Sequence, residues 1–592
     1  MQIERRQALQ ETPLSSDISS LLDRVLRQRG LTSASEFATQ AKHLSHYQDL
    51  KGIEVAAELL AIAVKEQQKI CIVGDFDADG ATSTALCILA LREMGHKHID
   101  YIVPNRFDFG YGLTPPVVDI AQQKQAQVII TVDNGISSIE GVAHAKKLGM
   151  TVIVTDHHLP ADSLPEADAI VNPNQLNCDF GSKNLAGVGV AFYVMSALKN
   201  ELEKRGYFSE KQINVPNMAN FLDIVAIGTV ADVVPLDANN RILVHQGIAR
   251  IRAGKTRPGV IALLNVTNRQ YQRCCTSDIG FVIGPRLNAA GRLDDMSHGI
   301  ECLLCDNAAQ AAQYAAELDG LNQSRREIEQ SMRDDAERFL SEYLEGGANI
   351  ESAAKIDSIA NTSASNKTEL PAAIVLYKGD FHQGVVGIVA GRIKEKYYRP
   401  TIVFADEDDL YVKGSARSIE GVHIRDVLAR IDALYPTLIK KFGGHAMAAG
   451  LSLAKQDLAQ FETVFNEVVA QLTQGLPKQA TIYSDGELNA LDISLQTASE
   501  LKFALPWGQQ FEEPCFDGCF DIVNQRIVGQ NHLKLTLALD GHYFDAIAFS
   551  VDTSQWPNHQ ATQVHAAYKL DINEFRGQTN VQLMISALEA VA

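Results

Sequence analysis

No apolar run in this 592-residue chain is long enough to span a bilayer, and the polar opening MQIERRQALQ lacks the apolar core of a secretory leader. A cytoplasmic protein with no membrane contact is the expectation. Cysteine is scarce and odd in number, nine residues scattered through the chain, which excludes a disulfide framework. Cys302 and Cys305 fall in a helical pattern, and Cys515 and Cys519 flank an Asp-Gly pair that reads as a turn. Neither pair has the second pair or the close histidines that structural zinc needs. Positive charge is also short. The 53 Lys and Arg face 72 Asp and Glu, a net charge of −19, which argues against a polyanion binder that uses its whole surface. A local basic groove stays possible on the same composition.

With 46% hydrophobic and 21% charged residues, the chain has the make-up of a soluble globular protein. Its length suggests three or four domains, each able to bury a core.

The most informative stretch is Lys69–Leu91, KICIVGDFDADGATSTALCILAL. Ile70–Val73 reads as a buried strand, followed by Asp75, Asp77 and Asp79 at alternate positions, then Gly80 and a small-residue helix. Three carboxylates brought together at a strand end repel one another, and a hard cation would hold them. The plainer alternative is solvated turn and cap residues, a common use of Asp. An EF-hand loop needs a bidentate Glu at its twelfth position, where Leu86 stands, and a P-loop needs Gly-Lys-Ser/Thr where this chain has Gly80-Ala-Thr. Both are excluded.

From about 53 to 172 helical and strand patterns alternate. Strands are expected at Ile70–Val73, Ile99–Val103, Val128–Val132 and Thr151–Val154, with helices at 54–65, 81–94, 116–123 and 139–148. Continuous apolar strands separated by helices imply a parallel sheet covered on both faces, with ligands at the carboxyl ends of the strands. Those ends carry the polar residues: Asp133-Asn134-Gly135 after the third strand and Asp156-His157-His158 after the fourth. Each has a bland reading as a turn or surface loop. Together with the Asp75 cluster they form an Asp/His set suited to Mn²⁺ or Mg²⁺. Gly187-Val-Gly189 lacks the third glycine of a dinucleotide fingerprint, since Phe192 stands there. Asp232 ends the apolar helix Phe221–Val230 and reads either as a cap or as one more ligand.

Gly284–Arg292 reads as a glycine-bounded turn presenting Arg286, Asn288 and Arg292, and Arg grips phosphate oxygens bidentately. Residues 307–345 keep helical spacing, interrupted at Asp319-Gly320, the second part spanning roughly 36 Å. Residues 346–369 are rich in small polar residues and read as a flexible insert. A second α/β unit from about 371 to 470 has strands at Ala373–Tyr377, Thr401–Phe404 and Tyr411–Ser415. Three glycine-rich basic loops interrupt it, around His382, Arg417 and His445. Taken singly, each is as well explained as an ordinary tight turn. From about 475 the chain turns all-β, with short strands near 481, 519, 533, 543, 563 and 579, as in a small oligonucleotide-binding barrel. Phe520, Arg526, Lys534, Tyr543 and Phe549 could line a stacking groove or could be core and solvated face.

These motifs resemble the DHH phosphoesterase superfamily over roughly residues 50 to 590, and most closely its single-strand-specific 5′→3′ DNA exonucleases. GDFDADG, VDNG, DHH and GTVADVVPL are similar to the family's metal motifs, in order and without departure. GPRLNAAGR, HQGVVGIVAGR, GSARS and GGHAMAAG resemble its later motifs, including those of the DHHA1 domain.

The resemblance implies an α/β fold: a helical lead-in over 1–50, a parallel-sheet DHH domain over 51–305 and a connecting helix over 306–345. The insert at 346–370, a smaller DHHA1 domain over 371–472 and an OB-like barrel over 473–592 complete it. By the same resemblance Asp77, Asp79, Asp133, His157 and Asp232 hold two Mn²⁺ or Mg²⁺ ions, with Asp75 supporting or joining them. His158 contacts the scissile phosphate, so that His158, Asp75 and Asp133 form the catalytic set. Arg106, Arg286, Asn288, Arg292, His382, Gly384, Ser415, Arg417, Gly444 and His445 hold the strand and its 5′ end, in a cleft too narrow for duplex.

The implied reaction releases 5′-mononucleotides in recombination and repair. The implied partners are single-stranded DNA, a single-strand-binding protein and a helicase that supplies 5′ ends, and the implied state is a monomer. Two alternatives stay open: another DHH phosphodiesterase acting on cyclic dinucleotides, short oligonucleotides or pyrophosphate, and a non-catalytic DNA-binding scaffold. The C-terminal barrel weighs against the first, and the complete ligand set against the second.

Overall fold

The computed structural model describes residues 2–105, 112–161, 163–344, 370–477, 479–575 and 577–591. The chain divides into two compact units, Met1–Leu321 with Thr481–Ala592, and Asn322–Ala480.

The first unit begins with a short strand, β1 (Gln2–Arg5), and is built on a five-stranded parallel sheet. Its strands are β2 (Ile70–Gly74), β3 (Ile99–Ile102), β4 (Val128–Val132), β5 (Thr151–Thr155) and β6 (Ala169–Val171), in the order β3-β2-β4-β5-β6. Alternation along the strands decides the layering. Ile70, Ile72, Val128 and Ile130 pack with helices Ile53–Glu66, Ala78–Glu93 and Gly187–Lys204. Cys71, Val73, Ile129, Val152 and Val154 pack with Pro115–Gln123 and Ile139–Lys147 on the opposite face. Burial on both faces explains the unbroken apolar runs.

The chain leaves β2 for β3 on one side, then crosses to β4 on the other. The switch point therefore lies between β2 and β4, where open α/β sheets take their ligands. Register brings the ends level: Gly74 is opposite Val132, and Val132 is opposite Thr155. Asp75, Asp133 and Asp156, each the next residue, leave the sheet side by side.

The C-terminal part of this unit is a closed barrel of β13 (Phe516–Val528), β14 (His532–Leu539), β15 (His542–Ala548), β16 (Gln563–Phe575) and β17 (Gln578–Val591), ordered β13-β14-β15-β17-β16. Tyr568, Phe516 and Phe520 fill it. The strand expected near 481 is not a barrel strand. It is β12 (Thr481–Ser484), which pairs in parallel with β1 in a separate two-stranded sheet. The N-terminal lead-in is thus more than helix Ser20–Gln28: an Arg5–Asp517 ion pair stitches it to the barrel, and an Arg29–Asp485 ion pair to the segment after β12.

In the second unit a mixed sheet runs β10 (Lys441–Gly444), β11 (Ala448–Ala454), β9 (Tyr411–Arg417), β8 (Thr401–Asp406) and β7 (Ile374–Tyr377). Only β7 and β8 are parallel. Helices Ile424–Leu434 and Leu458–Leu472 share one core with the sheet.

Three expectations are corrected. Residues 284–292 are not a turn but a helix, Gly284–Leu293, entered through a π-helical segment, Ile279–Ile283. The long helix Ala308–Leu344 runs without interruption through Asp319-Gly320. Asp517-Gly518 is not a turn either, since it lies inside β13. Arg106 and the whole of the 346–369 insert lie outside the described residues.

Candidate active site and metal centre

Each acidic residue reaches the switch point for a local reason. Asp77 is the N-cap of helix Ala78–Glu93, its Oδ1 accepting the Gly80 amide at 3.0 Å. Two residues on, Asp79 is buried and accepts the Gly187 and Val188 amides at 2.6 and 2.9 Å, at the start of helix Gly187–Lys204. Orphan amides and the helix dipole both favour a carboxylate there. Asp133 follows β4 with a left-handed backbone, φ 62°, which Asp tolerates better than most residues. Gly187 is required beside it, because a Cβ there would lie 2.6 Å from the Asp133 Cβ. Asp232 ends helix Leu222–Ala231 and is followed by Val233, exposed and held at φ 61°. Positive φ is strained for a β-branched side chain, and such strain concentrates at functional sites.

These side chains converge. His157 Nε2 stands 3.1 Å from Asp133 Oδ1 and 3.5 Å from Asp232 Oδ2. Three overlapping groups have ligand atoms within 4.8 Å of one another: Asp75, Asp77 and Asp133; Asp79, His157 and Asp232; Asp133, His157 and His158. All of the expected metal-binding residues are in these groups.

The electrostatics fit a cation. Burial pushes Asp79 well above the usual carboxylate range, and Asp232 and Asp77 push it further. Asp133 is raised in the same way, by burial and then by Asp79, Asp77, Asp232 and Asp75. Asp232 is raised to about 7 by burial and Asp77, against the opposing pull of His158. Buried carboxylates that repel one another at this range call for a positive partner. Oxygen donors with imidazole and no thiolate match Mn²⁺ or Mg²⁺ rather than a thiophilic metal.

Sequence reasoning gave Asp156 no role of its own. It is buried, and its Oδ1 accepts the His157 and His158 amides at 2.7 and 3.0 Å and pairs with His158 Nδ1 at 2.7 Å. Burial would raise this carboxyl, but the bonds from the histidines hold it below the ordinary range. His158 moves the other way: burial lowers it, and the Asp156 contact outweighs that and lifts it to about 9. The signal was present, since a carboxylate directly before two histidines is placed to orient one of them.

The residues expected to hold phosphate fall into two sets. In the first unit Arg286 is buried, donating to the Val282 carbonyl at 2.8 Å and pairing with Asp319 at 2.6 Å. Asn288 Oδ1 accepts the Ala78 amide at 2.8 Å. Both act as internal braces in this geometry, and Arg292 lies in the last turn of the same helix.

In the second unit Ser415 and Arg417 project from the same face of β9, with Arg417 Nη1 donating to Ser415 Oγ at 3.0 Å. Gly387 sits where a Cβ would come 2.9 Å from Arg417 Nη2, so the start of helix Val386–Tyr397 lies against that guanidinium. The Gly384 amide donates to His382 Nδ1 at 3.1 Å just before it. Arg417 pairs in register with Ala448, and Gly444 with Ala449, which brings the Gly444-His445 turn to the same end of the sheet. On the barrel, Phe520 belongs to the core and Lys534 pairs with Asp545, while Tyr543 and Phe549 are exposed.

Comparison with known proteins agrees with this layout. Residues 69–229 match the DHH family N-terminal domain, 371–471 the DHHA1 domain and 484–587 the RecJ OB domain. The single-stranded-DNA-specific exonuclease RecJ of Salmonella typhimurium is 53% identical over 99% of this chain and 98% of that protein. RecJ of Escherichia coli is 51% identical over the same shares. The crystal structure of Thermus thermophilus RecJ in complex with Mn²⁺ is similar with a TM-score of 0.75 at 26% identity, covering 97% of this chain and 76% of that one. The fold and site define a DHH-type protein. Within that class, the chain belongs to the RecJ family.

Proposed function

We propose that this protein is a metal-dependent exonuclease specific for single-stranded DNA, degrading from the 5′ end to 5′-mononucleotides in recombination and repair. The observation that carries the reading is the buried Asp/His cluster at the β2/β4 switch point, in a chain that matches RecJ relatives over nearly its whole length. Asp77, Asp79, Asp133, His157 and Asp232 would hold two Mn²⁺ or Mg²⁺ ions, with Asp75 beside them. Bound there, such a pair supplies an activated water and stabilises both oxygens of an in-line displacement.

The chain's own groups do the rest. His158, fixed through Nδ1 by Asp156 and cationic at neutral pH, offers Nε2 to a phosphate oxygen of the scissile bond. Ser415, Arg417, His382, Gly384, Gly444 and His445 form the phosphate-holding surface of the second unit, and Arg292 is a phosphate-holding residue of the first. Arg286 and Asn288 support the site from behind. A single-strand-binding protein and a helicase are the fitting suppliers of 5′ ends, and the enzyme acts as a cytoplasmic monomer.

The test compares 5′-labelled single-stranded DNA, duplex DNA, a cyclic dinucleotide and pyrophosphate as substrates with Mn²⁺. Mononucleotide release from the single strand alone is expected. Preference for the cyclic dinucleotide or pyrophosphate would assign the chain to another DHH activity.

A further inference from the structure

The two site histidines are consecutive, so their rings are only as well placed as the peptide units that carry them. Both amides and both carbonyls of the pair have side-chain partners. The His157 and His158 amides donate to Asp156 Oδ1, at 2.7 and 3.0 Å. The His157 carbonyl accepts from Asn174 Nδ2 at 2.6 Å, and the His158 carbonyl from Asn172 Nδ2 at 2.9 Å. The two asparagines are themselves linked, the Asn174 amide donating to Asn172 Oδ1 at 2.7 Å. Asn172 is fully buried, directly after β6.

The same loop reaches the other side of the site. Lys183 Nζ donates to the Pro173 and Cys178 carbonyls at 2.8 and 2.6 Å, closing the loop on itself. A few residues later Gly187 and Val188 give their amides to Asp79, and Gly187 leaves the space that Asp133 fills. Residues 172–188 therefore hold the histidines at one end and the carboxylates at the other.

We infer that Asn174 and Asn172 are positioning residues for the metal centre: by fixing the carbonyls of His157 and His158 they set the His157 imidazole in ligand geometry, with the backbone beside it held still, before any ion arrives. Removing one donor leaves the peptide free to rotate, so the cluster must be reassembled on binding. Outer partners of this kind change metal affinity by about 10- to 100-fold. The inference rests on the metal-site reading proposed above.

The experiment measures Mn²⁺ binding to the full chain by titration calorimetry, without DNA, alongside metal-free melting and nuclease rate as a function of Mn²⁺. Asn174→Leu keeps the volume and removes the donor; Asn174→Asp keeps the shape and sets an acceptor against the carbonyl. Both are expected to weaken Mn²⁺ binding by about 10-fold or more, with Asp the worse. Most of the lost rate should return at saturating Mn²⁺, and the metal-free melting temperature should stay near that of the parent. Asn172→Leu, at the buried position, gives a second reading of the same quantity. Unchanged Mn²⁺ affinity in Asn174→Leu and Asn174→Asp, or losses that simply follow their melting temperatures, overturn the inference. A parent protein that binds no Mn²⁺ overturns the metal-site reading instead.

Discussion

Asn288 Oδ1 accepts the backbone N–H of Ala78 at 2.8 Å, joining residues 210 positions apart. Ala78 is the first residue of the helix whose N-terminus carries Asp77 and Asp79. One of the orphan amides of that helix is therefore satisfied by a side chain from helix Gly284–Leu293. Asn288→Ala is expected to cost about 1 kcal/mol of stability, read from chemical denaturation, and to lower nuclease activity more than that cost implies. Asn288→Asp keeps the acceptor but adds a carboxylate beside a cluster that already repels itself, so it should lower stability without Mn²⁺, yet with Mn²⁺ bound keep more stability and activity than Asn288→Ala. Equal behaviour of the two variants would argue against the bracing role.

Asp133 is a buried carboxylate pressed by four others. Asp133→Asn removes one repelling charge, so the metal-free protein should melt higher than its parent. Mn²⁺ should raise the melting temperature of the parent, by linkage worth about 2.7 kcal/mol at a hundredfold excess over Kd, and should do so far less in the variant. Activity is expected to vanish. Differential scanning calorimetry with and without Mn²⁺ checks both signs.

Asp77→Ala and His158→Ala should each abolish Mn²⁺-dependent digestion of 5′-ended single strands while leaving circular dichroism unchanged. Full activity in either would sink the corresponding assignment.

Arg417→Ala should weaken binding of single-stranded DNA without changing Mn²⁺ affinity, and should reduce the slope of log affinity against log salt by about 1. A salt series on a short labelled strand, followed by anisotropy, makes the measurement. An unaltered slope would remove Arg417 from the phosphate surface.

Acid should loosen the N-terminal strand. Burial raises the Asp517 carboxyl, but hydrogen bonds from Arg5, Ser484 and His565 outweigh it and hold it down to about 2. A depressed carboxyl contributes stability above its unfolded value, about 3.9, and loses it as pH falls towards 2. Proteolysis of the first residues by an acid-active protease should therefore accelerate below about pH 4. Asp517→Asn should show fast cleavage already at neutral pH, with a protease active there.

The metal site was legible because its ligands are chemically distinctive residues placed immediately after apolar strands. Asp75, Asp133 and His157 follow β2, β4 and β5 with no intervening ambiguity. Asp156, Asn172 and Asn174 were harder to read. Their work is done on backbone groups, and only the folded chain shows which carbonyl lies opposite which amide. β10 and β11 escaped notice for another reason. Gly443, Gly444 and the Ala448–Gly450 run carry none of the β-branched or aromatic residues that mark strands. The helical identity of Gly284–Leu293 was hidden by its glycines and proline, although Pro285 sits in the first turn, where a helix accepts it. The surroundings of Arg286 were hidden for the same reason: in a turn it would face solvent, whereas in this helix it points to Asp319.

The pairing of β1 with β12 has a consequence for how the molecule is made. Residues 2–5 are synthesised well before their partner, 481–484, which follows about 480 positions later. At roughly 5–20 residues per second, that interval is on the order of half a minute to a minute and a half. All of Asn322–Ala480 is synthesised in the gap and can fold as its own unit while the opening segment waits. The first strand is thus a latch that closes only once Thr481–Ser484 has been made, so a chain terminated before that point would carry the whole acidic cluster with residues 2–5 unfastened.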